Sequence, residues 1–425
     1  MLNASSSPLP CVRSNPLAFN DPNLAPQWQD VAAKIHASGR QIVIAVTGGG
    51  SGAISALLQT PGASRTILEA IIPYSHAALT DWIGAKPEQA CSAATARAMA
   101  MAAFLRAKKL SALADTKPLL GAGVTASLAT DREKRGERRI HFAIQSAERT
   151  SVYSYSLPSD YDSMPLDRRP TRANDERAAT SFILWDLAAE CGVDAAKLKE
   201  SLTTGRQDEL LHYCGDRAKS EQQSLFIGQS RRAILLPNSS VNYFPESAAP
   251  AIGIVFPGAF NPPHTGHLRM MELAERRLER PAAWELSITN VDKLPLDYIA
   301  MQSRIHAIRF EDAGRLIALT RAPTFREKSE LFPNATFIVG VDTLIRIADP
   351  KYYAGDPAQR DAAIAEIASR GCRFLAFGRV MNGEFQVLSD LTLPPALAAI
   401  CDEVPASEFR EDISSTQLRT APPLE

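Results

Sequence analysis

Between Ala251 and Leu278 the chain passes from a strand pattern to a helix pattern through the decapeptide Gly258-Ala-Phe-Asn-Pro-Pro-His-Thr-Gly-His267. The run Ala251-Ile-Gly-Ile-Val-Phe256 is apolar throughout, as a strand covered on both faces would be. From Leu268 to Leu278 apolar residues recur at helical spacing. A strand that feeds directly into a helix is the building step of a sheet flanked by helices, so this stretch limits the fold sharply. It also sets two of the chain's seven histidines at a helix start. Free backbone N–H groups and the positive end of the helix dipole suit an anion there, a phosphate above all.

The same alternation runs through the rest of the sequence. Gln41 to Val46 reads as a strand ending in Thr47-Gly-Gly-Gly-Ser51, with a helix from Ala53 and an Ala- and Met-rich helix over Ser92 to Leu110. Strands follow at Pro118–Thr125, Arg139–Ile144 and Ser151–Ser156, then a helix from Asn174 to Cys191. After the histidine segment come strand patterns at Trp284–Ile288, Phe337–Val341 and Arg373–Phe377, each followed by a loop. A chain of 425 residues is too long for one ordinary core. The expected fold class is therefore α/β with two domains, each a mainly parallel sheet flanked by helices. The expected division is a leader over residues 1–25, a first domain over 26–205, a connecting segment over 206–250 and a second domain over 251–425.

Composition narrows the partners. A net charge of −1 supplies no field that would draw the chain to nucleic acid or an anionic membrane. No apolar run is long enough to cross a bilayer. The six cysteines are scattered without C-x-x-C spacing, which implies neither a zinc site nor a disulfide framework and fits a reducing cytoplasm.

What can a helix start bearing two histidines do? Histidine N–H groups can stabilise charge that grows on phosphate oxygens during nucleotidyl transfer, and Gly266 lets the backbone come close. The attacking phosphate is already a nucleophile, so positioning and electrostatics carry the reaction and no protein base is required. Further along, Asp412-Ile-Ser-Ser-Thr-Gln-Leu-Arg419 sets Ser414, Ser415 and Thr416 at an expected helix start with Arg419 nearby, a second grip for a triphosphate. Lys293 follows a strand and would stand beside a further phosphate. Gly340-Val-Asp342 also follows a strand, where a carboxylate commonly receives ribose hydroxyls. Each has a plainer reading as well: the hydroxyls and Asp342 as helix caps, Lys293 as a solvated side chain.

Gly258–His267, Phe337-Ile-Val-Gly-Val-Asp342 and Ile413–Arg419, in that order, resemble the nicotinamide/nicotinate mononucleotide adenylyltransferases of the H-x-G-H nucleotidyltransferase superfamily. The resemblance spans roughly residues 250 to 425 and implies a Rossmann-like nucleotidyltransferase fold for the second domain. It implies that His264 and His267 contact the α- and β-phosphates of ATP, with Arg419, Ser414, Ser415 and Thr416 on the triphosphate tail. Gly258 and Phe260 would sit by the pyridine mononucleotide and Asp342 by the adenosine ribose, with Ala259, Gly266 and Gly340 also among the nucleotide-binding residues. Magnesium (Mg2+) would be held mainly by the nucleotide phosphates, with no protein ligands assigned. Two other readings stay open: transfer of AMP or CMP to another phosphorylated acceptor, and a nucleotide-binding regulator with little turnover.

The stretch Val46–Gly84, with Ala90–Ala103 and Gly121–Ile144, resembles the C-terminal domain of competence-damage-inducible proteins, the nicotinamide-nucleotide amidases. In that alignment the nucleophilic serine falls on Thr47 and the lysine on Leu79. Leucine cannot take a proton, so the resemblance implies an amidase-like domain without turnover. That family's tendency to assemble implies a homo-oligomer through this domain. The loop Thr47–Ser51 lacks the Gly-Lys-Ser/Thr of a Walker A motif, and reads either as a phosphate cradle or as a tight strand-to-helix turn.

Overall fold

A computed structural model describes residues 24–130, 136–157, 171–198, 211–381 and 383–411. The chain divides into two compact units, Met1–Arg217 and Ala218–Glu425. Residues 206–250 are shared between them. Leu211–Arg217 is a strand of the first sheet, and Arg232–Leu235 a strand of the second. The boundary expected near Thr203–Gly205 lies outside the described residues.

In the first unit six strands, β1 (Gln41–Thr47), β2 (Ile67–Ile71), β3 (Leu119–Ser127), β4 (Arg139–Gln145), β5 (Arg149–Ser156) and β6 (Leu211–Arg217), lie in the order β2-β1-β3-β4-β5-β6. The sheet is mixed, which corrects the mainly parallel one expected. Only β2-β1-β3 is parallel; β3 through β6 pair antiparallel. Only Ser146-Ala-Glu148 separate β4 from β5, too little chain for the crossover that parallel strands require. The helix Ala93–Leu110 packs on β3 at near-backbone distance. A Cβ on Gly121 would come within 2.1 Å of the Phe104 nitrogen, and one on Gly123 within 2.3 Å of the Ala96 carbonyl oxygen. The Gly-Ala-Gly of β3 and the alanines of the helix are thus one packing solution written in two places.

In the second unit seven strands follow the order β15-β12-β11-β8-β9-β10-β7. They are β7 (Arg232–Leu235), β8 (Ile254–Pro257), β9 (Ala282–Ser287), β10 (Ile317–Thr320), β11 (Thr336–Gly340), β12 (Arg373–Phe377) and, after a small hairpin of β13 (Arg379–Met381) and β14 (Glu384–Gln386), β15 (Cys401–Val404). All pair parallel except β7, which runs against β10. The chain builds outward from β8 through β9 and β10, then returns to the other side of β8 with β11, β12 and β15. That reversal opens a crevice at the carboxyl ends of β8 and β11, where open α/β sheets hold their ligands.

A buried ion pair braces the turn that leads into this crevice. Lys328 donates to both Glu285 carboxylate oxygens, at 2.9 and 2.7 Å, and to the Ala322 carbonyl at 2.8 Å, with Glu285 fully buried. Three donors on three acceptors leave the ammonium satisfied. Glu285 in turn accepts the Gly258 N–H on its backbone carbonyl at 3.0 Å. The pair therefore ties the helix Phe325–Leu331 to the turn that follows β8.

Candidate functional site

The turn after β8 is built on aromatic packing. Phe256 stacks on Trp284 with ring centres 5.9 Å apart. The chain then folds back so that Phe260, at a φ of +45°, lays its ring against Phe256, Trp284 and His267. A Cβ on Gly258 would sit 2.5 Å from that ring, so the fold-back requires glycine there. Asn261–Pro262 is a cis peptide. Phe260 is 3% exposed; it lines the crevice chiefly as the support beneath His267.

The helix Thr265–Leu278 starts at His264, its N-cap, inside the crevice. The His264 backbone N–H is donated to Nδ1 of His267 at 3.1 Å. An imidazole nitrogen that accepts carries no proton, so neutral His267 keeps its hydrogen on Nε2 and can donate it. The two rings lie 3.7 Å apart, centre to centre. Burial first, then the charges of His264 and Arg379, pushes the His267 pKa down to about 3. Burial, then Arg379, also lowers that of His264. Both are therefore neutral donors at physiological pH. His264 Nδ1 is buried without a hydrogen-bond partner among the described residues. A Cβ on Gly266 would come 3.1 Å from the His264 ring, so glycine leaves that ring its room.

Across the crevice stands the end of β11. Gly340, Asp342 and Thr343 line the same cavity of about 260 Å3 as Gly258, Ala259, Phe260, His264, Gly266 and His267. A Cβ on Gly340 would meet the Asp342 carboxylate at 2.4 Å, so the missing side chain lets that carboxylate fold back over the strand end. Arg379, at the start of β13, stands 3.7 Å from Asp342 Oδ1. Phe409 and Glu411 complete the wall. Arg269 pairs with Glu411 and lies over the Phe409 ring.

The structure thus gathers the histidine turn and the β11 end into one site. Lys293 is not among its lining residues; it lies exposed in the loop after β9. Ser414, Ser415, Thr416 and Arg419 lie outside the described residues. Sequence reasoning missed Arg379, Phe409 and Glu411. The only signal it offered was that Arg379 stands two residues past the end of a buried strand, as Asp342 does past β11.

A second cavity of about 700 Å3 shares Phe325 and Thr343 with the first. Its walls bring Tyr352 and Tyr353 together with Arg326, Arg346 and the carboxylates Glu327, Glu330 and Glu366.

The first unit has a smaller cavity, of about 230 Å3, lined by Thr47, Tyr74, His76, Leu79, Cys91 and Arg172 among others. Thr47 and Leu79 are both buried. The glycine loop has its own anion. Glu176 accepts the N–H groups of Gly50 at 2.8 Å and Gly52 at 3.2 Å, and the Ser51 hydroxyl at 2.8 Å. The helix start that a phosphate would use is capped by a carboxylate of the protein itself. Among the described residues no group of three or more His, Cys, Asp or Glu side chains could hold a metal ion, and no helix is long and apolar enough to cross a membrane.

Solved structures similar to the chain cover its N-terminal part. One is a competence-damaged protein superfamily member from Enterobacter cloacae: 13% identity over 45% of this chain and 99% of that one, TM-score 0.31. Another is a competence/damage-inducible protein from Agrobacterium tumefaciens, at 17% identity over 39% and 94%, TM-score 0.30. A third, from Klebsiella pneumoniae, is 15% identical over 40% and 98%, TM-score 0.31. Likeness this distant carries no function to the first unit. None of the curated proteins matches the chain. Residues 255–421 match the model of the cytidylyltransferase-like family, and the second half of this chain is a cytidylyltransferase-like nucleotidyltransferase domain.

Proposed function

We propose that the second unit transfers AMP from ATP to nicotinamide or nicotinate mononucleotide, releasing pyrophosphate. The observation that carries the reading is the pair of neutral histidines at a helix start on the strand-order reversal, beside a second cavity whose walls include Phe325, Tyr352 and Tyr353. A phosphate oxygen of the acceptor attacks the α-phosphorus. The bond from that phosphorus to the bridging oxygen breaks, and the electron pair leaves on pyrophosphate. His267 Nε2–H and the helix N-terminus donate toward the oxygens on which charge grows. The acceptor phosphate is ionised near neutral pH, so no side chain has to remove a proton.

Asp342 is offered to ribose hydroxyls, and the cavity of Phe325, Tyr352 and Tyr353 to a flat pyridine ring. Ser414, Ser415, Thr416 and Arg419 belong to the same reading as the grip on the triphosphate tail. The carboxylates lining the histidine cavity, Asp342 and Glu411, each face an arginine. That arrangement suits a magnesium ion that arrives on the triphosphate better than one the protein keeps. In this reading the first unit binds a ligand or a second copy without amidase turnover, since Leu79 is buried and carries no base.

The family description itself favours a second reading, CTP with another phosphorylated acceptor. Pyrophosphate release measured over ATP and CTP, each with nicotinamide mononucleotide, nicotinate mononucleotide and phosphocholine, separates the two. Release only with ATP and a pyridine mononucleotide supports the first reading. Release only with CTP or phosphocholine removes it.

A further inference from the structure

Resting on the nucleotidyl-transfer reading, we infer that Arg379 is a phosphate-binding residue which Asp342 holds until the nucleotide binds and then surrenders to it. Among the described residues that line the histidine cavity, Arg379 is the one side chain with a permanent positive charge. It enters from the hairpin β13–β14, and a Cβ on Gly378 would come 2.6 Å from the Phe385 ring on the opposite strand. The hairpin thus folds tightly back beside the end of β12, with the arginine at its base. His264, His267 and Arg379 line the same cavity, so a phosphate held between the helix start and the hairpin would face all three groups.

The contact with Asp342 is a poised one. Arg379 Nη1 stands 3.7 Å from Asp342 Oδ1, beyond hydrogen-bonding distance, with the two side chains 49% and 40% exposed. That oxygen is itself buried and without a hydrogen bond among the described residues. Two opposite charges that neither bond fully nor face away are each available to a better partner. A nucleotide offers one to each: phosphate oxygens to the guanidinium, ribose hydroxyls to the carboxylate. Binding of either half of the nucleotide then frees the residue that the other half needs. Recognition of sugar and of phosphate is coupled through one ion pair.

The test is calorimetry on the full chain with pyrophosphate and with a nucleoside, adenosine or cytidine, as separate probes. The proteins are the wild type, Arg379→Gln, Asp342→Asn and the double variant. Arg379→Gln should weaken pyrophosphate binding about tenfold or more. The same change should tighten the nucleoside about two- to fivefold, the worth of a half-exposed ion pair. Asp342→Asn should tighten pyrophosphate by a similar factor, and should do nothing to it once Arg379 is already glutamine. Arg379→Lys should recover part of the pyrophosphate affinity. Because both side chains are half-exposed, thermal unfolding should match the wild type. An unchanged pyrophosphate affinity in Arg379→Gln overturns the inference, as does weaker pyrophosphate binding in Asp342→Asn. If those results come with normal turnover, they leave the proposed reaction standing. A wild-type protein that binds no ATP, CTP or pyrophosphate overturns both.

Discussion

His264 gives its backbone N–H to Nδ1 of His267, and that bond decides which nitrogen of His267 is left to donate. Nδ1 faces its own helix start, so Nε2 is the proton-bearing atom. The arrangement needs a neutral ring, and burial supplies one by holding the His267 pKa down at about 3.

The first prediction concerns pH. With a folded pKa near 3 and an unfolded value near 6.5, His267 binds a proton in the unfolded chain before it does in the folded one. Its contribution to stability is whole above about pH 6.5 and is lost as the pH falls from there toward the folded value. Nuclear magnetic resonance of the His267 ring should show no titration between pH 8 and about 5. The acid-side decline in chemical-denaturation stability should become shallower in His267→Gln. A ring that titrates near 6.5 would contradict the burial argument.

A second prediction lies in the first unit and has the opposite sign. Asp186 is fully buried and accepts the Tyr155 hydroxyl at 2.8 Å; burial raises its pKa well above the ordinary value. Above the ordinary value of 3.8 the folded state therefore holds a proton that the unfolded state has released, and stability falls as the pH rises from there through the raised folded value. Asp186→Asn keeps an acceptor for Tyr155 and removes the charge. Its melting temperature should exceed that of the wild type at pH 8, with the gap closing toward pH 5. A gap independent of pH would show that Asp186 carries no buried-charge penalty.

Glycines against a helix give the third. Gly121→Ala forces a Cβ to within 2.1 Å of backbone in the helix Ala93–Leu110, and overpacking of this kind costs about 1–3 kcal/mol. Chemical denaturation should show that loss. Full stability in the variant would mean that the helix can move away from β3 at no cost.

The fourth concerns Glu176. Glu176→Ala strips three donors at the start of the helix Ser51–Gln59 of their acceptor, at a cost of about 1–2 kcal/mol. Glu176→Asp, one methylene shorter, should recover little of it, because the carboxylate must reach across from the helix Arg172–Cys191. Recovery of full stability by aspartate would contradict the geometry.

Much of this was legible in the sequence, for a local reason. The turn from β8 to the helix Thr265–Leu278 is written in consecutive residues, so its strand, fold-back and two histidines could be read together. The end of β11 was equally readable, since Gly340 and Asp342 are neighbours. Strand direction was not, because the hydrophobic pattern of β4 or β5 is the same in either sense; only the brevity of Ser146–Glu148 carried the answer. Partners far apart along the chain were silent too. Nothing around Glu176 announces that it caps a loop at Gly50, and nothing around Arg379 announces Asp342. Lys293 follows a strand in the sequence, and in the structure it lies exposed in the loop after β9, outside the residues that line the histidine cavity.

The measurement that bears most directly on the account is pyrophosphate release by the purified chain with ATP, magnesium and nicotinamide mononucleotide, for the wild type and for His267→Ala. The wild type should give dinucleotide and pyrophosphate in equal amounts. Turnover in the variant should fall about a hundredfold or more, the scale for losing one preorganised donor to a developing oxyanion. Wild-type turnover in His267→Ala would contradict it.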